Sequence, residues 1–208
     1  MGGWRSSPRM APIVVRPPRA VDPLYAWFFS KLLTSDQLGP STLKSAAIYL
    51  MLHGDSTNGK RFTGEDEHGQ HVMAIDVDSV ADVSGAVVFA GACWGALCGE
   101  RLAKDPGPAI PRALGNSLAM HFLLGGARAF VGCTGVHYSP DPGEDAAGAP
   151  MHQAFWRAMG GGTVPPAVAL HLAKQEYARR LANTRRPVAL RAVESKICAQ
   201  FTCLGLGW

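Results

Sequence analysis

Short, wholly apolar runs decide what this chain can fold into. The clearest are Ala46-Ala47-Ile48-Tyr49-Leu50-Met51-Leu52 and Ala86-Val87-Val88-Phe89-Ala90-Gly91-Ala92, with a third over residues 127–133. The first two are rich in β-branched and aromatic side chains, show no apolar/polar alternation, and are bounded by Gly or polar residues. That is the signature of a strand buried on both faces, the kind found in parallel sheets. Segments of helical period separate them. Leu114, Leu118 and Phe122, with Ala119 and Leu123, form one stripe stopped by Gly125-Gly126. A helix is expected over 151–159. A last long helix should start at a Thr163 cap, with Pro165 and Pro166 in its first turn and Leu170, Ala173, Tyr177 and Leu181 facing the core. Residues 201–204 add a final strand. Strands alternating with helices predict an α/β fold whose mostly parallel sheet is covered on both sides.

The remaining segments are punctuated by Gly and Pro. Residues 1–20 read as an irregular N-terminal arm, with Ile13-Val14-Val15 as a short strand, ahead of one domain over 21–208. Asp22-Pro23 is a good helix start, with Leu24, Trp27, Phe28 and Leu32 on one face and Gly39-Pro40 closing the helix. Residues 54–71 are polar and turn-rich, which suggests a small hairpin above the sheet. A short strand and a turn of helix fit 72–83. Another helix is expected through Glu100-Arg101-Leu102-Ala103, ended by Pro106, Pro108 and Pro111. The loop over 134–150 is too long for a plain connector.

A length of 208 residues suits one domain, and 47% hydrophobic content suffices for one core. Much of the +4 net charge comes from Arg179, Arg180, Arg185, Arg186, Arg191 and Lys196. Such a cluster can favour nucleic acid or an acidic partner; here it reads as a solvated helix end and loop, and no nucleic-acid partner is expected. The five cysteines are odd in number and lack zinc-site spacing, which argues for a reducing, cytoplasmic setting without disulfides. No stretch reaches the ~18 apolar residues of a membrane helix, and the first 19 residues lack a signal-peptide core.

The chemistry concentrates at two strand ends. His53-Gly54 follows the first run and Cys93-Trp94-Gly95 the second, both on the rim where open α/β sheets bind ligands. A thiolate is the best side-chain nucleophile near neutral pH, and a helix starting after Cys93 would lower its pKa. His53 can serve as acid/base partner, and the amides of Gly54 and Cys93 can hold an oxyanion. Asp55 either orients the imidazole or caps a turn, and capping is the better fit. Asp141, Glu144 and Asp145 could receive a basic substrate side chain, or be a solvated loop. His68 and His71, near Glu65, Asp66 and Glu67, hint at a metal cluster. Gly64 and Gly69 argue against a rigid helical ligand pair, so neither metal nor cofactor is expected. Gly91-Ala92-Cys93-Trp94-Gly95 also fits a G-x-C-x-G nucleophile elbow. That arrangement needs a later histidine: His121, His137, His152 or His171.

Four segments in order carry a resemblance. They are Leu50-Met51-Leu52-His53-Gly54; Val87-Val88-Phe89-Ala90-Gly91-Ala92-Cys93-Trp94-Gly95; residues 118–132 with Gly125-Gly126-Ala127-Arg128; and Phe155-Trp156-Arg157 onward through 167–177. Over 44–208 the chain resembles the caspase-like cysteine peptidases of clan CD, especially the CHAT-domain and gingipain-like branches. The resemblance implies a three-layer α/β/α caspase-like fold and a protease cutting a protein or peptide. It also implies Cys93 as nucleophile, His53 as its partner, and a specificity loop after the 127–133 strand. Two other classes stay open: a catalytically inactive interaction module of the same fold, and a Cys-elbow hydrolase or glutamine amidotransferase.

Overall fold

The computed structural model describes residues 13–16, 31–34, 38, 43–66, 68, 70–99, 114–137, 147–160 and 162–205. Six strands form one sheet: β1 (Ile13–Arg16), β2 (Lys31–Thr34), β3 (Ala47–Leu50), β6 (Val87–Ala90), β7 (Ala129–Cys133) and β8 (Phe201–Leu204). Their order is β2-β1-β3-β6-β7-β8. The first five run parallel, and only β8 on the edge is antiparallel, Phe201 facing Cys133. A separate two-stranded hairpin pairs β4 (Arg61–Glu65) with β5 (His71–Asp76). Four helices complete the described elements: α1 (Leu118–Leu124), α2 (Ala149–Gly160), α3 (Pro166–Ala182) and α4 (Val188–Gln200).

Every residue of β3, β6 and β7 is buried, as unalternating apolar runs require. Successive side chains still point to opposite faces, and the core divides accordingly. Tyr49, Phe89, Val131 and Cys133 pack with α2, α3 and Ile197 of α4. Ile48, Leu50, Val88, Ala90 and Phe130 pack with Leu118, Ala119 and Phe122 of α1 and with Phe62 and Ile75 of the hairpin. The central strands β3, β6 and β7 are therefore apolar on both sides, with helices packed against each. The Leu170, Ala173, Tyr177, Leu181 stripe of α3 is buried throughout.

Several expectations need correcting. Leu32, assigned to the face of an early helix, lies in β2, paired in parallel with β1. Two adjacent leucines in a four-residue segment carry no period that separates helix from strand; the rest of that helix lies outside the described residues. The short strand expected at Ile13-Val14-Val15 is present as β1 and lies between β2 and β3 in the sheet. Thr163 does not cap α3: Pro165 holds the N-cap position with extended backbone and no side-chain cap bond. Nor is α3 the last helix. The basic stretch after it turns at Asn183 and re-enters a helix at α4, where Arg186 pairs with buried Glu194 at 2.6 Å. The helix expected around 100–103 lies outside the described residues.

Candidate functional site

The parallel ladder fixes the site. Ala47, Ile48, Tyr49 and Leu50 pair with Val87, Val88, Phe89 and Ala90, an offset of 40 positions. The Gly91 amide continues that ladder by donating to the Leu50 carbonyl at 2.7 Å. His53 and Cys93 share the same offset, so they leave the sheet at equivalent heights on neighbouring strands. Gly54 seals the arrangement. A Cβ built on it would collide with the Cys93 carbonyl, so only glycine allows the two backbones this close.

The hairpin meets this rim through one antiparallel bridge. The His53 amide donates to Thr63 at 2.7 Å, and the Thr63 amide returns a bond to His53 at 2.9 Å. Glu65, two residues on, faces the same side as Thr63, and His71 is its direct cross-strand partner. His53 Nε2 lies 2.9 Å from Glu65 Oε1, and its ring stacks on His71 with centroids 4.4 Å apart and planes 14° from parallel. Phe62 and Ile75 meanwhile pass into the core beneath. The exposed face of the hairpin and the rim enclose a cavity of about 460 Å³ lined by His53, Gly54, Arg61, Thr63, His71 and Trp94, among others.

Cys93 is half-buried and is not among the residues that line this cavity. Its Sγ donates to the His137 carbonyl at 3.0 Å and accepts from the His137 amide at 3.2 Å. Burial pushes the thiol above its ordinary pKa, and the His137 amide only partly opposes this. The depressed thiol expected from a following helix is therefore overturned. Residues 93–96 are a turn in which Trp94 adopts φ of +51°, in the left-handed region. Trp94 is the one non-glycine residue there among the described residues. Neither the Gly54 nor the Cys93 amide is taken by another described residue.

Asp55 accepts from the Thr57 amide at 2.7 Å, the turn-capping role expected of it. Asp141, Glu144 and Asp145 lie outside the described residues. Among the later histidines, His121 Nδ1 is 3.1 Å from the Ser117 carbonyl on α1, and His171 Nε2 is 2.9 Å from Gln175 on α3. His137 and His152 are buried and stacked at 5.2 Å, with His152 Nδ1 2.8 Å from the Tyr49 hydroxyl. Burial draws His137 down to about 4 and His152 further below its ordinary value. Neither is placed as a base for an elbow nucleophile. The partner that sequence reasoning missed is Glu65. The signal was available in the hairpin: alternation puts Thr63 and Glu65 on the face opposite Phe62. The bridge to His53, a tertiary contact, was not. The five cysteines are all free, and no helix among the described residues is long and apolar enough to cross a membrane. Comparison with protein-family models and with curated proteins finds no match.

Proposed function

We propose that the chain is a cysteine endopeptidase of three-layer, caspase-like architecture, with Cys93 as nucleophile and His53 as acid/base. The observation that carries this reading is the shared ladder position of the two residues at the carboxyl rim of adjacent central strands. In the reaction the Cys93 Sγ turns out of its bonds to His137 and gives its proton to His53. The sulfur attacks the scissile carbonyl, and the amides of Gly54 and Cys93 receive the oxyanion. The imidazolium then protonates the leaving amine, and water releases the acyl group by the same route in reverse. Glu65 holds the ring in place during the reaction. The substrate lies extended along the rim, and the loop carrying Asp141, Glu144 and Asp145 reads the residue before the cut.

One observation favours a second reading, an inactive interaction module of the same fold: the Cys93 thiol is bonded on both sides by His137 and raised by burial. A fluorogenic peptide library varied at the residue before the cut separates the two. The peptidase reading expects cleavage that disappears in both Cys93→Ala and His53→Ala. No cleavage of any member, or cleavage untouched by both substitutions, rejects it in favour of the module or the elbow chemistry.

A further inference from the structure

We propose that His53, Glu65 and His71 form a binding site for a divalent transition ion of the Zn²⁺ class, and that occupancy withdraws His53 from thiol chemistry. The inhibitory half rests on the peptidase reading above; the binding half does not.

One ligand atom from each residue falls within 4.8 Å of the others. A tetrahedral zinc ion with bonds of about 2.0–2.1 Å sets its ligands about 3.3 Å apart. The His53 Nε2 to Glu65 Oε1 pair, at 2.9 Å, is already close to one edge of that figure. Two imidazoles and a carboxylate are a donor set that suits zinc and its neighbours and leaves a fourth position for water or substrate. That position opens on the cavity shared with Trp94. Hard oxygen-seeking ions such as Ca²⁺ find too few oxygens here.

The backbone holds the set at two points. Glu65 and His71 are partners in the hairpin register, and His53 is tied to Thr63 by two hydrogen bonds. An ion here would run against the expectation of no metal. The absent helical pair is replaced by a hairpin pair plus a residue from the sheet rim, and His68 stays exposed in the turn. One adjustment is required. An imidazole binds metal in its ring plane, and nearly parallel stacked rings cannot both aim at one ion. The exposed His71 ring must turn, while His53 keeps its place against Glu65. A metal on the His53 nitrogen occupies the lone pair that proton transfer needs, so the two uses exclude each other.

The test is calorimetric titration of the full chain with Zn²⁺, and with Co²⁺ as a visible-absorption probe that reports sulfur ligation separately. One ion should bind without a thiolate-to-cobalt band. Affinity should fall by more than about 100-fold in Glu65→Gln and in His71→Ala, beyond the cost typical of losing an outer-sphere partner. Cys93→Ala should bind as the parent does. No binding, binding through sulfur, or affinity unchanged in His71→Ala overturns the site. In the cleavage assay, Zn²⁺ should inhibit the parent and spare His71→Ala, and equal inhibition of both overturns the switch. A chain that binds Zn²⁺ through these three residues but cleaves nothing supports the site and sinks the peptidase reading alone.

Discussion

Two stacked histidine pairs sit on either side of Cys93 and behave as opposites. His53 and His71 lie on the open rim, with a carboxylate at 2.9 Å. His137 and His152 lie in the interior, surrounded by Phe89, Phe201 and Tyr49, and among the described residues no ring nitrogen of His137 has a partner. The same side chain thus sits beside a carboxylate at the rim in one place and is an aromatic plate in the other. Access to water and to a counter-charge makes the difference, because an interior imidazole cannot carry charge without a heavy desolvation cost.

The sharpest way to break that contrast is to remove one ring from each pair. His53→Ala should lower cleavage by about 1,000-fold with little change in melting temperature. His152→Ala should instead cost about 3 kcal/mol or more of folding stability, as expected for emptying a packed ring site. Melting temperature and steady-state cleavage, measured on both variants, decide the matter. An interior substitution that leaves stability intact would end the comparison.

Acid should attack the interior pair next. His137 titrates near 6.5 when unfolded and near 4 when folded, so the unfolded chain binds the extra proton between those values. Stability is full above 6.5 and falls through that window, by about 3 kcal/mol from His137 alone, with no further loss below about 4. His152 adds loss in the same direction. Urea unfolding at a series of pH values should show the decline, and His137→Phe should reduce it to the part that His152 contributes.

Gly54→Ala is a smaller test, aimed at the rim. The added methyl meets the Cys93 carbonyl, so the strand ends must part, at about 1–3 kcal/mol. Cleavage should fall along with melting temperature. Smallest is the thiol itself. Alkylation at neutral pH should label exposed Cys98 before Cys93, whose rate should climb as pH rises past its ordinary 9. Mass spectrometry of modified peptides reads the order.

The centre of the sheet was legible because β3, β6 and β7 are buried on both faces, and such runs need no partner to be recognised. Residues 47–50, 87–90 and 129–133 all fall within runs visible in the sequence. The hairpin was legible in part: its first strand falls within 54–71, whereas His71–Asp76 falls almost wholly in the segment read separately as a short strand and a turn of helix. Leu32-Leu33 was not, since a short apolar pair takes its conformation from the neighbouring strand. α4 was missed because its buried face rests on Glu194 and Ile197 alone, too sparse for a stripe. At the site, His53 and Cys93 could be nominated from strand ends. The state of the thiol could not, because it depends on the backbone of His137, 44 positions away.

The offset of 40 between the central strands has a practical corollary. Since the ladder aligns His53 with Cys93, the segment between Gly54 and β6 is free to change length without disturbing that alignment. The hairpin can therefore be regarded as an exchangeable cassette: a graft with the same bridge to His53 but other residues at 65 and 71 would alter what surrounds the imidazole and leave His53 and Cys93 in place.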